Sequence, residues 1–174
     1  MSRLRAAVVI ASFGLAACGF EPLYGERGSE PATEEVLAYV QVPPIADRVG
    51  QLVRIELMNR MTPANPLKPL YVLEVGLSEG QKSLAVRRDA STTRANLILS
   101  ASFSLKRADD GAKIMGGSAR SVNGYDVLTS DFATFAAETD ARKRGAKDIA
   151  DRIVERVSIF LSRPANRVVS TPQR

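Results

Sequence analysis

The sequence predicts an α+β fold: two helices packed on one face of a four-stranded, mostly antiparallel sheet, in the order β-α-β-β-β-α. Three observations predict it. One segment alternates strictly between apolar and mostly Ser residues, as a sheet covered on one side requires. One long segment carries an apolar stripe at helical spacing. Turn residues separate the remaining apolar runs at strand length.

The elements follow in order. Residues 36–42 contain Leu37, Val40 and Val42 and read as a short strand, ended by Pro43 and Pro44, which have no N–H for a sheet ladder. Residues 46–61 read as a helix, with Ile45, Val49, Leu52, Val53 and Leu57 on one side and Glu56 intruding on that stripe. Pro63 and Pro66 end it. In residues 70–77, Tyr71, Leu73, Val75 and Leu77 face one way, and Val72, Glu74 and Gly76 the other. Gly80 suggests a bulge or bend, with residues 84–88 continuing the strand and residues 89–92 forming a polar turn. Residues 95–106 give the clearest strand: Leu97, Leu99, Ala101, Phe103 and Leu105 alternate with Asn96, Ile98, Ser100, Ser102 and Ser104. Asp110-Gly111 is a hairpin signal, after which residues 113–126 return as a weaker strand loosened by Gly116-Gly117.

Ser130 caps a long helix over residues 131–161, in which Ala146, Ile149, Ala150, Ile153, Val157 and Phe160 form the stripe that docks on the sheet. Glu138 with Arg142, Asp140 with Arg144, and Asp148 with Arg152 are spaced as i,i+4 pairs on its outer surface, each worth about 0.3 kcal/mol. The domain thus spans residues 36–162, and residues 163–174, which have no period, read as a disordered tail.

Composition excludes more than it specifies. The chain has no His and one Cys, so a zinc site, a Ser-His-Asp triad and a Cys-His dyad are not available, and no metal or cofactor is expected. A Ser-Lys or paired-carboxylate enzyme stays formally open, but Glu74, Glu79 and Asp89 are scattered and no spacing singles out a pair. Of 24 basic residues, Arg3 and Arg5 lie in the first segment; against 19 acidic residues the excess beyond it is +3. Such an excess permits anionic partners without demanding them.

Residues 1–17 read as an export signal: Arg3 and Arg5 begin it, and residues 6–15 form an apolar core too short to stay as a membrane span. Leu15-Ala16-Ala17-Cys18 resembles the bacterial lipobox, in which the Cys thiol is lipidated and the preceding peptide removed. A lone Cys elsewhere in an oxidising compartment would be an unpaired thiol. Multiple acyl chains on Cys18, palmitate among them, give stable anchoring. Gly19 is compatible with transfer to the outer membrane, and residues 18–35 form the lipidated start and a polar tether.

The run Cys18-Gly19-Phe20-Glu21-Pro22-Leu23-Tyr24-Gly25 resembles the start of the LPS-assembly lipoprotein LptE family. The resemblance continues through Thr93-Arg94-Ala95-Asn96-Leu97, Gly124-Tyr125, Ser130-Asp131-Phe132-Ala133, Ala136-Ala137-Glu138, and Asp148-Ile149-Ala150-Asp151-Arg152-Ile153. It implies two helices on a four-stranded sheet, no enzymatic activity, and a plug inside the outer-membrane β-barrel LptD that delivers lipopolysaccharide to the outer leaflet. It also implies lipopolysaccharide as a ligand. Two departures stand out: Gly124-Tyr125-Asp126 occupies a place where the family often has Ser-Tyr-Asn, and Glu138 a place where some members carry a lipid-linked basic residue. An auxiliary lipoprotein of an ABC-type intermembrane lipid transport system, or a structural envelope protein, would have a similar outline.

Lipid A carries phosphates, which Arg and Lys bind by charge-assisted hydrogen bonds. The cations beside the first hairpin turn, Lys82, Arg87, Arg88 and Arg94, are the candidates for that contact; as alternatives they solubilise the hairpin or bond a barrel wall. Ser100, Ser102, Ser104 and Ser118 would suit either a polar barrel lumen or plain solvent. Arg142, Lys143, Arg144 and Lys147 are flanked by Asp140 and Asp148 and read as a solvated helix face; no nucleic-acid partner is expected for an exported chain.

Overall fold

The structure, a computed structural model, describes residues 36–61, 68–85 and 93–166. The expected leader, Cys18, the tether, the turn that carries Arg87, Arg88 and Asp89, and residues 167–174 lie outside the described residues. In chain order the elements are β1 (Val40–Gln41), α1 (Asp47–Met61), β2 (Tyr71–Ala85), β3 (Thr93–Arg107), β4 (Lys113–Val127) and α2 (Asp131–Leu161), closed by a 3-10 turn at Pro164–Asn166. The strands form one sheet in the order β1-β2-β3-β4; β1 is parallel to β2 and the other pairs are antiparallel. The expected fold class is the observed one.

β3 supplies the spine of the core. Its odd-numbered residues Ala95, Leu97, Leu99, Ala101, Phe103 and Leu105 are all buried, and Leu97, Leu99 and Leu105 have no accessible surface. Each such Leu contributes about 2 kcal/mol by leaving water. Against this column pack Ala141, Ala146, Ile149, Ala150, Ile153, Val157 and Leu161 of α2 and Val53, Leu57 and Met61 of α1. Gly145 permits the closest approach: a Cβ there would stand 2.7 Å from Leu99 Cδ1 and 3.1 Å from Asn123 Nδ2. The two helices run in the same direction. Asp47, at the start of α1, shares a cavity with Phe135 and Thr139 of α2, and Arg60, near the end of α1, bonds to Asp151.

Several boundaries differ from expectation, each for a local reason. β1 is only two residues long. Val36 and Leu37 lie in a helical turn in which the Tyr39 amide donates to the Val36 carbonyl at 3.2 Å, and the proline pair stops the strand on its other side. β2 runs unbroken through Gly80, which sits in regular register opposite Ile98; the irregularity falls between Ser83 and Ala85. β4 is as long as its neighbours, and Gly116 and Gly117 are paired with Ser104 and Phe103. The Asp110-Gly111 turn is as expected, with Gly111 at φ +68°. Its Asp110 carboxylate accepts from the Ala112 amide and from Arg107, which holds it below the usual carboxylate range. Ser130 caps α2, accepting from the Ala133 amide at 3.4 Å. Beyond α2, the Asn166 side-chain Nδ2 donates to the Phe160 carbonyl and its backbone N–H to the Arg163 carbonyl, each at 3.0 Å, so the chain stays folded through Asn166.

The two edges of the sheet are finished differently. On β4, Arg144 donates to the Gly124 carbonyl at 3.0 Å and Arg156 to the Ser118 carbonyl at 2.5 Å, so α2 covers two outward acceptors of that edge. On the outer edge of β2 the only strand neighbour among the described residues is β1, which pairs with Tyr71 and Val72.

Gly145→Ala tests the helix–sheet approach. A helical Gly to Ala change ordinarily stabilises by about 1 kcal/mol, whereas overpacking a filled core costs about 1–3 kcal/mol. Net destabilisation of roughly 1–2 kcal/mol is expected in chemical denaturation; a more stable variant would show that Leu99 yields freely.

Candidate functional site

The sheet has one covered and one open face, and the even-numbered residues of β2, β3 and β4 line the open one. Read across the strands, its rows are Glu74, Ser104 and Gly116; Gly76, Ser102 and Ser118; Ser78, Ser100 and Arg120; Gly80, Ile98 and Val122; Lys82, Asn96 and Gly124. Small and polar side chains dominate, as the alternation in β3 requires. All four predicted serines lie here, Ser102 and Ser118 exposed and Ser100 and Ser104 half-buried. Toward the base, Glu74, Gly76, Ser102, Ser104 and Lys113 line a shallow depression of about 410 Å³.

Of the four cations expected to act together, the structure brings Lys82 and Arg94 to one corner. Lys82 stands opposite Asn96, two residues from Arg94 on the same strand face, beside the hairpin that leads to residues 86–92. Arg94 meets Asp126 of β4, Nε to Oδ1 3.6 Å, with the side chains 70% and 56% exposed. A pair so exposed is worth under about 1 kcal/mol, so an arriving phosphate can displace the carboxylate at little cost. Arg87 and Arg88 lie outside the described residues. Sequence reasoning missed Arg120, the exposed cation in the centre of the open face, which has no ion-pair partner among the described residues. Only the β3–β4 register places it beside Ser100, and no local pattern signals that.

The covered face near the hairpin holds a polar cluster that sequence reasoning assigned elsewhere. Arg142 does pair with Glu138, at 2.5 Å, but the pair points inward and is joined by Glu79 of β2, whose two oxygens accept from Arg142 Nε at 3.0 and 3.1 Å. Gln81 donates to Glu138 as well. The Glu79 bond holds the Arg142 guanidinium still more firmly protonated. Asp140 and Arg144 pair as expected. Asp148 does not use Arg152; it accepts from Ser121 Oγ at 2.8 Å, and Ser121 accepts in turn from Asn123 Nδ2 at 2.7 Å. Glu138, bound to Arg142 and Gln81, supplies no positive charge at its position. Glu74 bonds Lys106 on the open face at 2.7 Å, so Glu74 and Glu79 are on opposite faces, and Asp89 lies outside the described residues. Among the described residues no cluster of metal-binding side chains occurs, and no helix is long and apolar enough to cross a membrane.

A model of the LptE family, described as lipopolysaccharide-assembly, matches residues 37–157. The chain belongs to the LptE family. Solved structures of the same fold include a candidate lipoprotein from Caulobacter crescentus CB15, at a TM-score of 0.65 and 22% identity, covering 75% of this chain and 96% of that one. Lipoprotein B from Nitrosomonas europaea follows at 0.52 and 19%, covering 71% and 82%. A minor lipoprotein from Acinetobacter baumannii gives 0.50 and 18%, covering 69% and 90%. No curated protein matches the sequence. Family membership decides between the transport systems left open by the sequence outline, in favour of lipopolysaccharide assembly.

Within this LptE-family domain, Tyr125 lies beneath α2 near the polar cluster. Burial foremost, and then the Glu138 carboxylate, push its phenol above the ordinary value, with Arg142 opposing. Because the folded state holds the proton longer, this contribution to stability is complete below about pH 10 and is lost as pH rises through the folded-state value. An alkaline titration followed by phenolate absorbance, compared with that of Tyr125→Phe, should assign to Tyr125 an ionisation above the ordinary phenol value, and Glu138→Gln should bring it earlier. A Tyr125 step at the ordinary value, unmoved by Glu138→Gln, would contradict the placement.

Proposed function

We propose that this chain is a non-catalytic outer-membrane lipoprotein, anchored through lipid on Cys18, that partners and plugs an LptD-like β-barrel during lipopolysaccharide transport. Lipopolysaccharide contacts the hairpin corner, where Lys82 and Arg94 are joined by Arg87 and Arg88. The observation that carries this reading is membership of the lipopolysaccharide-assembly family over residues 37–157. Two features support it. The open face is lined by mostly small and polar side chains, and it carries Lys82 and Arg120 without partnering carboxylates among the described residues, as a module seated against a hydrated lumen wall would require. The Arg94–Asp126 pair is exposed enough to exchange for a phosphate.

Lys82→Glu combined with Arg94→Glu should weaken binding of lipopolysaccharide to the purified protein about tenfold or more. Each charge-assisted contact is worth about 1.5 kcal/mol, or roughly a factor of ten. Arg87→Glu with Arg88→Glu should do the same, and the salt dependence of binding should flatten. Binding that is unchanged in affinity and salt response would remove the proposed contact. Pulling the lipidated protein from outer membranes should recover a β-barrel in equal amount. Recovery of an inner-membrane ATPase complex instead would sink the barrel assignment.

A further inference from the structure

We propose that the outer edge of β2, from Val75 to Ser83, is a strand-addition site for an extended peptide segment of a partner protein. The Tyr71 amide donates to the Tyr39 carbonyl at 3.3 Å, which fixes the parity: odd-numbered residues of β2 turn their N–H and C=O groups away from β3. β1 uses this edge only at Tyr71 and Val72, because Pro43 and Pro44 carry the chain off the ladder. Above it, Val75, Leu77, Glu79, Gln81 and Ser83 have no backbone partner on that side among the described residues. Every residue from Ser78 to Ser83 is exposed. At about 3.3 Å per residue the open stretch is roughly 25–30 Å long, the length of an ordinary strand.

The edge is neither blunted nor symmetric. β4 has its outward carbonyls at Ser118 and Gly124 covered by arginines of α2, whereas among the described residues no side chain bonds the outward backbone of β2 above Val72. Glu79, whose inward charge would deter a strand, is turned toward α2 and bound by Arg142, which it shares with Glu138. Beside the edge lies a cavity of about 320 Å³ with one apolar wall, Val49, Leu52 and Phe135, and a charged rim that includes Asp47, Arg48, Glu79, Arg142 and Lys143, room for a side chain of an added strand. Phe135 is 57% exposed there.

The chemistry of the edge disfavours a second copy of this chain as the occupant of the whole open stretch. The lower half, Val75 and Leu77, is apolar and half-buried; the upper half, Glu79, Gln81 and Ser83, is polar. Antiparallel self-pairing about Glu79 would set Val75 against Ser83, Leu77 against Gln81 and Glu79 against its own copy, a mismatch at every position. The segment that fits has bulky apolar side chains opposite Val75 and Leu77 and polar ones above. Its backbone supplies the affinity and these alternate side chains the selectivity.

The test uses the 15N-labelled full-length chain and a synthetic capped peptide in which Val alternates with Thr and Lys. Amide exchange at Val75, Leu77 and Glu79 should slow at least tenfold at saturating peptide. Amides at Gly76, Ser78 and Gly80, already bonded to β3, should not change and report that the fold is intact. Gln81→Pro removes one outward N–H without touching the β3 ladder and should abolish the protection; Gln81→Val, which keeps the N–H, should retain it. No slowing, equal slowing in Gln81→Pro, or slowing confined to other elements would each overturn the site. Protection of the same amides without peptide, in step with dimerisation, would overturn the choice of occupant. None of these readouts involves lipopolysaccharide, so the site and the proposed transport role fail independently.

Discussion

The structure depends on one contact: the buried column of β3 against the small-residue stripe of α2. Leu97, Leu99 and Leu105 reach zero accessibility only because Ala141, Gly145, Ala146 and Ala150 let the helix come down on them. Since among the described residues all covering mass lies on that side, the other face of the sheet is left to water or a polar wall. Ser and Gly across three strands are the answer. The same one-sidedness fixes where function can reside. Groups on the covered face are committed to α1 and α2, and those on the open face and the β2 edge remain available.

Polar groups inside the covered face are matched rather than merely tolerated. Near the hairpin the β3 column is flanked by Glu79 and Gln81 on one side and by Ser121 and Asn123 on the other, and α2 meets both. Arg142 answers Glu79, and Asp148 answers Ser121. Such bonds add modestly to net stability, but each would be costly to leave unmade, about 1–3 kcal/mol per orphaned group. They therefore oppose any slip of α2 along the sheet. Ser158 Oγ, buried without a hydrogen-bond partner, is the exception, and nothing nearby explains it.

Periodicity revealed the elements whose environment is uniform. β3 is buried on one side along its whole length, so its alternation was complete, and the α2 stripe was legible for the same reason. The upper part of β2 showed no period because Ser78 to Ser83 are polar or Gly on both faces: Glu79 and Gln81 meet α2 through hydrogen bonds, not apolar contact. The extra length is set by β3, which pairs it residue for residue. The inward turn of Glu138 and Arg142 was illegible because their spacing fits a solvated pair equally well; Glu79, 63 residues away from Arg142, decides the matter. Of the proposed phosphate contacts, Lys82 and Arg94 were identifiable from their places beside a turn. Arg120 was not, since only register brings it to the open face.

The arginine caps on β4 carry a consequence for assembly. A sheet with two bare edges can grow in both directions, and each added unit offers a fresh template, which is the route to fibres. Here Arg144 and Arg156 obstruct one side at two of its acceptors, and the mismatch of β2 with itself about Glu79 disfavours pairing along its full open length on the other. A sheet finished this way favours a single addition at one margin over open-ended polymerisation.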